Sequence, residues 1–258
     1  MSSGAGGNQG EPAQTPTGPV IVKVYRTRRG ALREWMRQAG TTLRHKTSPS
    51  PRGRRETERR VLARWRAAGF DVPRDLTDEH PELSGPDRIV LEALSGPTLH
   101  ERLRRRPRAE RDAWLTRFAA GWSRRHEHVV RTGDPTFLQE HGSFHHVLLH
   151  GPRLVTIDHE QVYTRGADIQ ALLLKEVLGY VRSIERMGAG RLLADDLRAL
   201  LGAYDDPARL VHACELGLAP GPMRQTLQTL EGSKRTRRKQ RLTELVRDLA
   251  QAELTRRS

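Results

Sequence analysis

The segment Leu154-Val155-Thr156-Ile157-Asp158-His159-Glu160 begins with a largely apolar run and ends with two carboxylates, Asp158 and Glu160. Its apolar and β-branched residues predict a short strand, and Gly151-Pro152 just before it predicts a turn from an earlier strand at Leu148-Leu149. An acidic residue directly after a strand is well placed to bind a metal ion beside the phosphates of a nucleotide. Asp158 is therefore the first candidate functional residue.

Two charged residues earlier in the chain complete a set that phosphoryl transfer uses. The run Val20–Tyr25 predicts a strand that carries Lys23. Residues 31–45 predict a helix, and residues 46–54, with two prolines, predict a basic loop. The apolar pattern that follows predicts a helix from Glu56 to Ala68 that carries Glu58. Enzymes that transfer phosphoryl groups neutralise the phosphates with a lysine, and a glutamate on a neighbouring helix holds that lysine. Glu56 is the rival to Glu58 for this role.

Four segments, in order along the chain, resemble the lipopolysaccharide-core kinase family (Kdo and heptose kinases). This family is related to protein kinases and aminoglycoside phosphotransferases. The segments resemble the lysine strand, the second helix with its following turn, the hinge and the metal motif of the family. They read VIVKVYR at 20–26, TERRVLARWRAAGFDVP at 57–73, RIVLEALSGPTLHERL at 88–103 and VTIDHEQ at 155–161. The resemblance spans residues 20–185.

The resemblance implies an α+β fold of the two-lobed, protein-kinase-like type, with a reduced N-terminal β lobe and a mainly helical C-terminal lobe. Residues 1–19 are rich in Gly, Pro and Gln and predict a disordered arm. Residues 20–94 would form the N-terminal lobe, with the lysine strand, the helix and the hinge strand. Residues 95–232 would form the helical lobe with the catalytic and metal loops, including helices at 168–186, 191–203, 207–216 and 220–230. Residues 233–258 would form a basic C-terminal helix.

The resemblance also assigns the site residues. Lys23 and Glu58 would hold the phosphates of ATP, and Asp158 and His146 would face Mg²⁺. His141 stands where the superfamily has the aspartate that orients the acceptor hydroxyl. A second alignment matches His141-Gly142-Ser143 to the His-Gly-Asp of aminoglycoside kinases, but it places Leu148 at a metal-ligand position, so the first alignment is preferred. The usual carboxylate is missing in both, although a neutral histidine can also accept a proton.

Three functions follow from these observations. The first is ATP-dependent phosphorylation of a hydroxyl on a small molecule, a sugar or a lipopolysaccharide-type glycan. The second is a pseudokinase that acts as a binding or scaffold module, which the missing aspartate and the missing Gly-rich phosphate loop favour. Either the first lobe is reduced, or the sequence start omits that loop. The third, a basic nucleic-acid-binding protein, is disfavoured because no nucleic-acid-binding signature accompanies the charge.

The composition narrows the cellular setting and the partners. The chain has 258 residues and a net charge of +14, which favours anionic partners such as nucleotides or phosphorylated glycans. A single cysteine, Cys214, excludes an intrachain disulfide, fits a reducing compartment and is interpreted as a packing residue. The N-terminus lacks a signal-peptide pattern, so we expect a cytoplasmic protein.

Two groups of residues in the sequence each allow two interpretations. The basic run Lys234–Arg241 is either the solvated end of a docking helix or a contact for an anionic membrane, which would place the protein at the inner face of the membrane. The histidines at 141, 145, 146 and 150 are of a residue type that commonly binds metal ions. A dedicated zinc site is disfavoured, because their spacing does not converge in a loop and strand.

Overall fold

The protein has an α+β fold with small antiparallel sheets and several helices. A computed structural model describes residues 9–26, 47, 50–164, 166–187, 193–219 and 233–258. The chain divides into two compact units. The first unit comprises Met1–Thr98, Asp134–Glu140 and His146–Ala167, and the second comprises Leu99–Gly133, His141–His145 and Asp168–Ser258. In the described residues, every helix is too short or too polar to cross a bilayer.

The first unit is built on a three-stranded antiparallel sheet in the order β1-β2-β3. The strands are β1 (Gln9–Thr15), β2 (Gly18–Val24) and β3 (Arg88–Glu92). Lys23 on the central strand pairs with Gly10 on one side and Ile89 on the other. The predicted lysine strand and hinge strand are therefore present, and they are neighbours in the same sheet.

The predicted disordered arm at residues 1–19 is wrong for residues 9–19. Gln9–Thr15 pairs along its whole length with Gly18–Val24. The turn ends at Gly18, whose φ of +123° suits only glycine. Because backbone hydrogen bonds hold this hairpin, it forms without the large apolar side chains whose absence suggested disorder. Residues 1–8 lie outside the described residues.

Helix α1 (Pro51–Ala67) begins five residues before the predicted start at Glu56. The two prolines of residues 46–54 suggested a loop, but Pro51 occupies the first turn of the helix, where no backbone donor is needed. Ser50 caps the helix by accepting a hydrogen bond from the backbone N–H of Gly53 at 3.1 Å. The helix that was expected at residues 31–45 lies outside the described residues.

A two-stranded hairpin of β4 (Val147–His150) and β5 (Arg153–Thr156) completes the regular structure of the first unit and confirms the predicted strands. The β4 strand packs against the segment that follows β3, since the backbone N–H of Leu149 donates to the carbonyl of Pro97 at 3.0 Å. A side chain at Gly96 would lie 2.0 Å from the Leu149 carbonyl oxygen. This close approach requires glycine at position 96.

The hairpin and the loop after it belong to the first unit, whereas we expected the metal loop within the helical lobe of residues 95–232. The backbone contacts between β4 and the segment after β3 account for this grouping. Short 3₁₀ helices occur at Pro81–Leu83, Pro135–Phe137 and Phe144–His146.

The second unit is helical. Its helices are α2 (Leu99–Arg104), α3 (Arg108–Thr132), α4 (Ile169–Met187), α5 (Leu193–Gly202), α6 (Pro207–Leu218) and α7 (Ser233–Arg257). They agree with the predicted helical C-terminal half, except that the helix expected at 220–230 lies outside the described residues. Buried aromatic rings from α3 and α4 pack together, with Trp122 and Tyr180 at 5.4 Å between centroids. Cys214 is buried on α6, and burial raises the pKa of its thiol to about 12.

Helix α7 lies where a basic C-terminal helix was expected, at residues 233–258, and it docks on α6. Its buried face consists of Leu242, Val246 and Ala250, which recur at intervals of four residues as expected for one helix face. Four basic residues near the start of the helix are exposed, namely Arg237, Arg238, Lys239 and Arg241.

Candidate functional site

Lys23 lies at the centre of three carboxylates in the first unit. Its Nζ is 2.6 Å from Glu58 Oε2, 3.3 Å from Asp158 Oδ1 and 3.9 Å from Glu160 Oε2. The predicted contact between Lys23 and Glu58 is thus confirmed, and Asp158 faces the same point. Glu56, the rival to Glu58, is instead exposed and pairs with Arg52 on the outer face of α1. We call Lys23 and its three carboxylates the Lys23 cluster.

Tyr25 extends the cluster, and the sequence reasoning missed it. Tyr25 follows Lys23 by two residues, so both side chains leave the extended chain on the same side. Its hydroxyl is buried and donates to Glu58 Oε2 at 2.5 Å. The ammonium of Lys23 lies 5.4 Å from the centre of the Tyr25 ring. The i, i+2 spacing was the signal that could have identified it.

Arg54 is the second residue that the sequence reasoning missed. It was assigned to a basic loop, but it lies on α1 one turn before Glu58 and is almost fully buried. Its Nη1 is 3.4 Å from Glu160 Oε1, and its guanidinium carbon is 5.6 Å from the centre of the Tyr25 ring. Buried arginines need such partners, because an uncompensated charge in the interior is costly. Arg54 therefore holds the Glu160 carboxylate in place beside Lys23.

The loop after β5 adopts a strained turn that directs Asp158 into the cluster. Asp158 has a φ of +69° and is the only non-glycine residue with positive φ among the described residues. Aspartate tolerates this conformation better than most side chains, but the surrounding structure must still enforce it. The backbone N–H of Ile157 donates to the His146 carbonyl at 2.9 Å. Buried His159 packs 4.4 Å from Trp65 and thereby anchors the other side of the turn.

The predicted histidines divide between the two units. His146 Nε2 lies 3.7 Å from Asp158 Oδ2, so His146 adjoins the Lys23 cluster as expected. His141 belongs to the second unit, where the next residue, Gly142, packs so tightly that a side chain would lie 2.4 Å from the Glu176 carbonyl. The structure thus brings together Lys23, Glu58, His146 and Asp158, while His141 is part of the other unit.

Burial and neighbouring charges set the protonation states of the cluster. Burial lowers the pKa of Lys23, but the carboxylates, led by Glu58, outweigh it and raise the pKa above its ordinary value. Burial and then Glu58 raise the pKa of Tyr25, so its phenol remains a hydrogen-bond donor. Burial would raise the pKa of Asp158, but Lys23 and then His146 hold it below the ordinary value.

Glu160 behaves differently from Asp158. Burial raises its pKa, Lys23 opposes this, and the negative charge of Asp158 adds to the rise. Among the described residues, Lys23 contacts the three carboxylates of the cluster, and Arg54 contacts Glu160 from outside it. A further cation would relieve the repulsion between Asp158 and Glu160.

The donor set fits a magnesium ion that a nucleotide helps to hold. Mg²⁺ prefers oxygen ligands and is usually bound by one or two carboxylates together with phosphates and water. Asp158 supplies such a carboxylate, whereas the imidazole of His146 is a poorer ligand for this ion. The described residues contain no group of three or more His, Cys, Asp or Glu side chains arranged to hold a metal by themselves.

The remaining histidines of the segment make other contacts. His150 Nδ1 accepts a hydrogen bond from the backbone N–H of Ser95 at 3.2 Å in the first unit. His145 stacks on His100 in the second unit. These two side chains are therefore engaged in two different units.

Comparisons with known proteins gave no match: no family model matches the chain, and no curated protein is similar to it. The kinase-like interpretation therefore depends on the motifs and on the geometry of the Lys23 cluster.

The two glutamates of α1 provide a test of the cluster. Glu58→Gln is expected to lower the free energy of unfolding by about 2–3 kcal/mol, because buried hydrogen bonds from Lys23 and Tyr25 to a charged carboxylate are lost. The matched variant Glu56→Gln should cost less than about 1 kcal/mol, since its ion pair with Arg52 is exposed. Urea unfolding of the two variants measures the difference. Equal stabilities would contradict the central role of Glu58.

Proposed function

We propose that this chain is a kinase-like phosphotransferase of the two-lobed, protein-kinase-like type. It would use ATP and Mg²⁺ to phosphorylate a hydroxyl on a small molecule, a sugar or a lipopolysaccharide-type glycan. The observation that carries the proposal is the Lys23 cluster, in which a strand lysine lies within 4 Å of carboxylates from α1 and from the loop after β5.

Each residue of the cluster has a separate task in this proposal. Lys23 remains protonated and binds a phosphate oxygen of the nucleotide. Glu58, itself held by Tyr25, keeps the ammonium in place. Asp158 holds Mg²⁺, which supplies neutralising charge to the phosphates when bound. Because Lys23 contacts Asp158 directly, we expect phosphate and metal to replace this ion pair when the nucleotide binds.

The second candidate function is a pseudokinase that binds nucleotide without turnover. His141 supports it, because the superfamily places an aspartate at this position. A general base contributes roughly 10²–10⁴-fold to a rate, and phosphoryl transfer depends more on positioning and charge than on proton removal. The missing carboxylate therefore weakens catalysis without abolishing the binding function of the Lys23 cluster.

Nucleotide binding tests both candidates at once. Calorimetry with ATP is expected to show binding that depends on Mg²⁺. A failure to bind ATP in the presence of Mg²⁺ would contradict both the kinase and the pseudokinase. Turnover on a panel of sugar and lipid-linked glycan acceptors then separates them, because only the kinase consumes ATP in an acceptor-dependent manner.

His141 is the position at which the kinase and the pseudokinase differ most. In a working kinase, His141→Ala is expected to lower the turnover rate by about 10²-fold, because the group that orients the acceptor is lost. His141→Asp should keep or increase the rate, since it restores the usual carboxylate. Steady-state kinetics on the best acceptor measures both. Unchanged turnover in His141→Ala would show that this residue has no such role, and no turnover in any form would favour the pseudokinase.

An anionic membrane surface is the partner that we propose for α7. Exposed basic side chains at the start of this helix support it, namely Arg237, Arg238, Lys239 and Arg241. Each basic residue near an anionic bilayer contributes about 1 kcal/mol of attraction. Arg238 also pairs with Glu185 at 2.6 Å, so part of this charge is already compensated.

A further inference from the structure

We propose that the second unit binds the phosphate group of a soluble phosphate monoester on a cationic surface cluster. The cluster consists of two stacked imidazoles and two arginines from three segments of this unit: His100, Arg104, His145 and Arg186. We call it the histidine–arginine cluster. It is separate from the Lys23 cluster, and its test requires neither nucleotide nor Mg²⁺.

The stacked histidines form the base of this site. The ring centroids of His100 on α2 and His145 are 3.8 Å apart, with 25° between the ring planes. The described residues contain no group of three or more metal-ligating side chains, so the pair does not form a metal site by itself. Their N–H groups can instead donate to one multi-oxygen anion. Nδ1 of His100 is buried without a hydrogen-bond partner among the described residues, which leaves Nε2 as the nitrogen that reaches a ligand.

The loop that carries His145 is held in place by close contacts. The backbone N–H of His145 donates to Ser143 Oγ at 3.3 Å, and the Ser183 hydroxyl on α4 lies 3.5 Å from the same oxygen. Gly142 packs directly on Gly179, where an added side chain would lie 2.5 Å from the Gly142 carbonyl. The imidazole of His145 is thus presented from a fixed backbone and is exposed.

Two exposed arginines add positive charge to this surface. Arg104 lies one turn after His100 on α2, on the same face of the helix. Arg186 lies in the last turn of α4, and both side chains are exposed. Within the part of the chain that the structure describes, neither makes an ion pair. By contrast, Arg111 pairs with Asp196 at 3.1 Å in the same unit.

The electrostatic environment of His100 agrees with an anion site. Burial lowers the pKa of His100, and the charges of His145, Arg104 and Arg186 lower it further. Glu101 on the same helix acts in the opposite direction but is outweighed. Two imidazoles in contact do not both become charged beside two arginines unless an anion compensates them. A phosphate dianion supplies this charge, and its oxygens match the forked donors of arginine.

Binding of phosphate should therefore be coupled to proton uptake by His100. The experiment is an NMR titration of the imidazole resonances of the full chain with inorganic phosphate, with sodium chloride at equal ionic strength as the reference. A His100→Gln variant assigns the resonance of His100. Phosphate is expected to raise the pKa of His100 by about one unit, because a nearby opposite charge favours the protonated form. Chloride should leave it unchanged.

Variants of the two arginines test whether phosphate binds at the histidine–arginine cluster. In the double variant Arg104→Gln with Arg186→Gln, phosphate affinity is expected to fall at least about 10-fold. The control Arg198→Gln removes an exposed arginine of α5 that pairs with Asp195, and it should bind phosphate normally. Equal responses to phosphate and chloride, or undiminished affinity in the double variant, would overturn the proposal. Binding to phosphate-bearing vesicles but not to free phosphate would overturn the assignment of a soluble ligand.

Discussion

Replacing Asp158 with Asn is expected to remove most of the Mg²⁺-dependent affinity for ATP, by about 10²–10³-fold. An amide cannot supply the charge with which a carboxylate attracts the ion. The fold should remain intact, because Asn tolerates the positive φ that Asp158 adopts. Calorimetry with ATP, in the presence and absence of Mg²⁺, measures the change.

The matched control for this prediction is Asp78→Asn. Asp78 lies in the same unit and pairs with Arg59 at 2.7 Å, but its side chain is 84% exposed. The control variant should bind ATP and Mg²⁺ like the wild type. If Asp158→Asn also retained full affinity, Asp158 would not be the metal ligand and the proposed use of the Lys23 cluster would be wrong.

Replacing Glu176 with Gln is expected to lower the free energy of unfolding by about 3–5 kcal/mol. Glu176 on α4 is fully buried, and its carboxylate pairs with the buried guanidinium of Arg125 on α3. His126 Nε2 lies 3.4 Å from the same carboxylate. The variant removes the carboxylate that neutralises the buried Arg125 guanidinium, and removing one partner of a buried ion pair is strongly destabilising. Urea unfolding followed by circular dichroism measures the loss.

Glu185→Gln on the same helix is the control for Glu176. Its ion pair with Arg238 lies at the surface and should contribute less than about 1 kcal/mol. Burial would raise the pKa of Glu176, but Arg125 holds it below the ordinary value. The stabilisation by Glu176 is therefore complete above the ordinary glutamate pKa and is lost as the pH falls through the lowered pKa. Equal losses for the two variants at neutral pH would contradict the prediction.

Local pattern was sufficient for much of the secondary structure. The turn at Gly151-Pro152 and the apolar runs around it correctly predicted the β4–β5 hairpin, because turn residues and β-branched runs act over short distances. Apolar periodicity likewise predicted α1 and the helices of the second unit. Where the pattern relied on composition alone, it failed: β1 has few apolar side chains and is held by backbone pairing with β2.

For the charged residues too, neighbouring sequence predicted some features and only the folded structure showed the others. The order of Lys23, Glu58 and Asp158 was enough to select them, since each follows or lies on a predictable element. Lys23 is 35 positions from Glu58 and 135 positions from Asp158 in the chain, so no local pattern specifies that these side chains meet. Tyr25 and Arg54 were missed because their roles arise only from burial beside these carboxylates.

The sequence by itself determined most of the elements and the residues Lys23, Glu58 and Asp158, because turn chemistry and apolar periodicity are properties of neighbouring residues. The tertiary structure alone decided how charge is balanced. Packing of α1 on the sheet buries Arg54 and brings it to Glu160, and packing of α3 with α4 buries Arg125 with Glu176. A buried charge must have a partner nearby in space, wherever that partner lies in the chain.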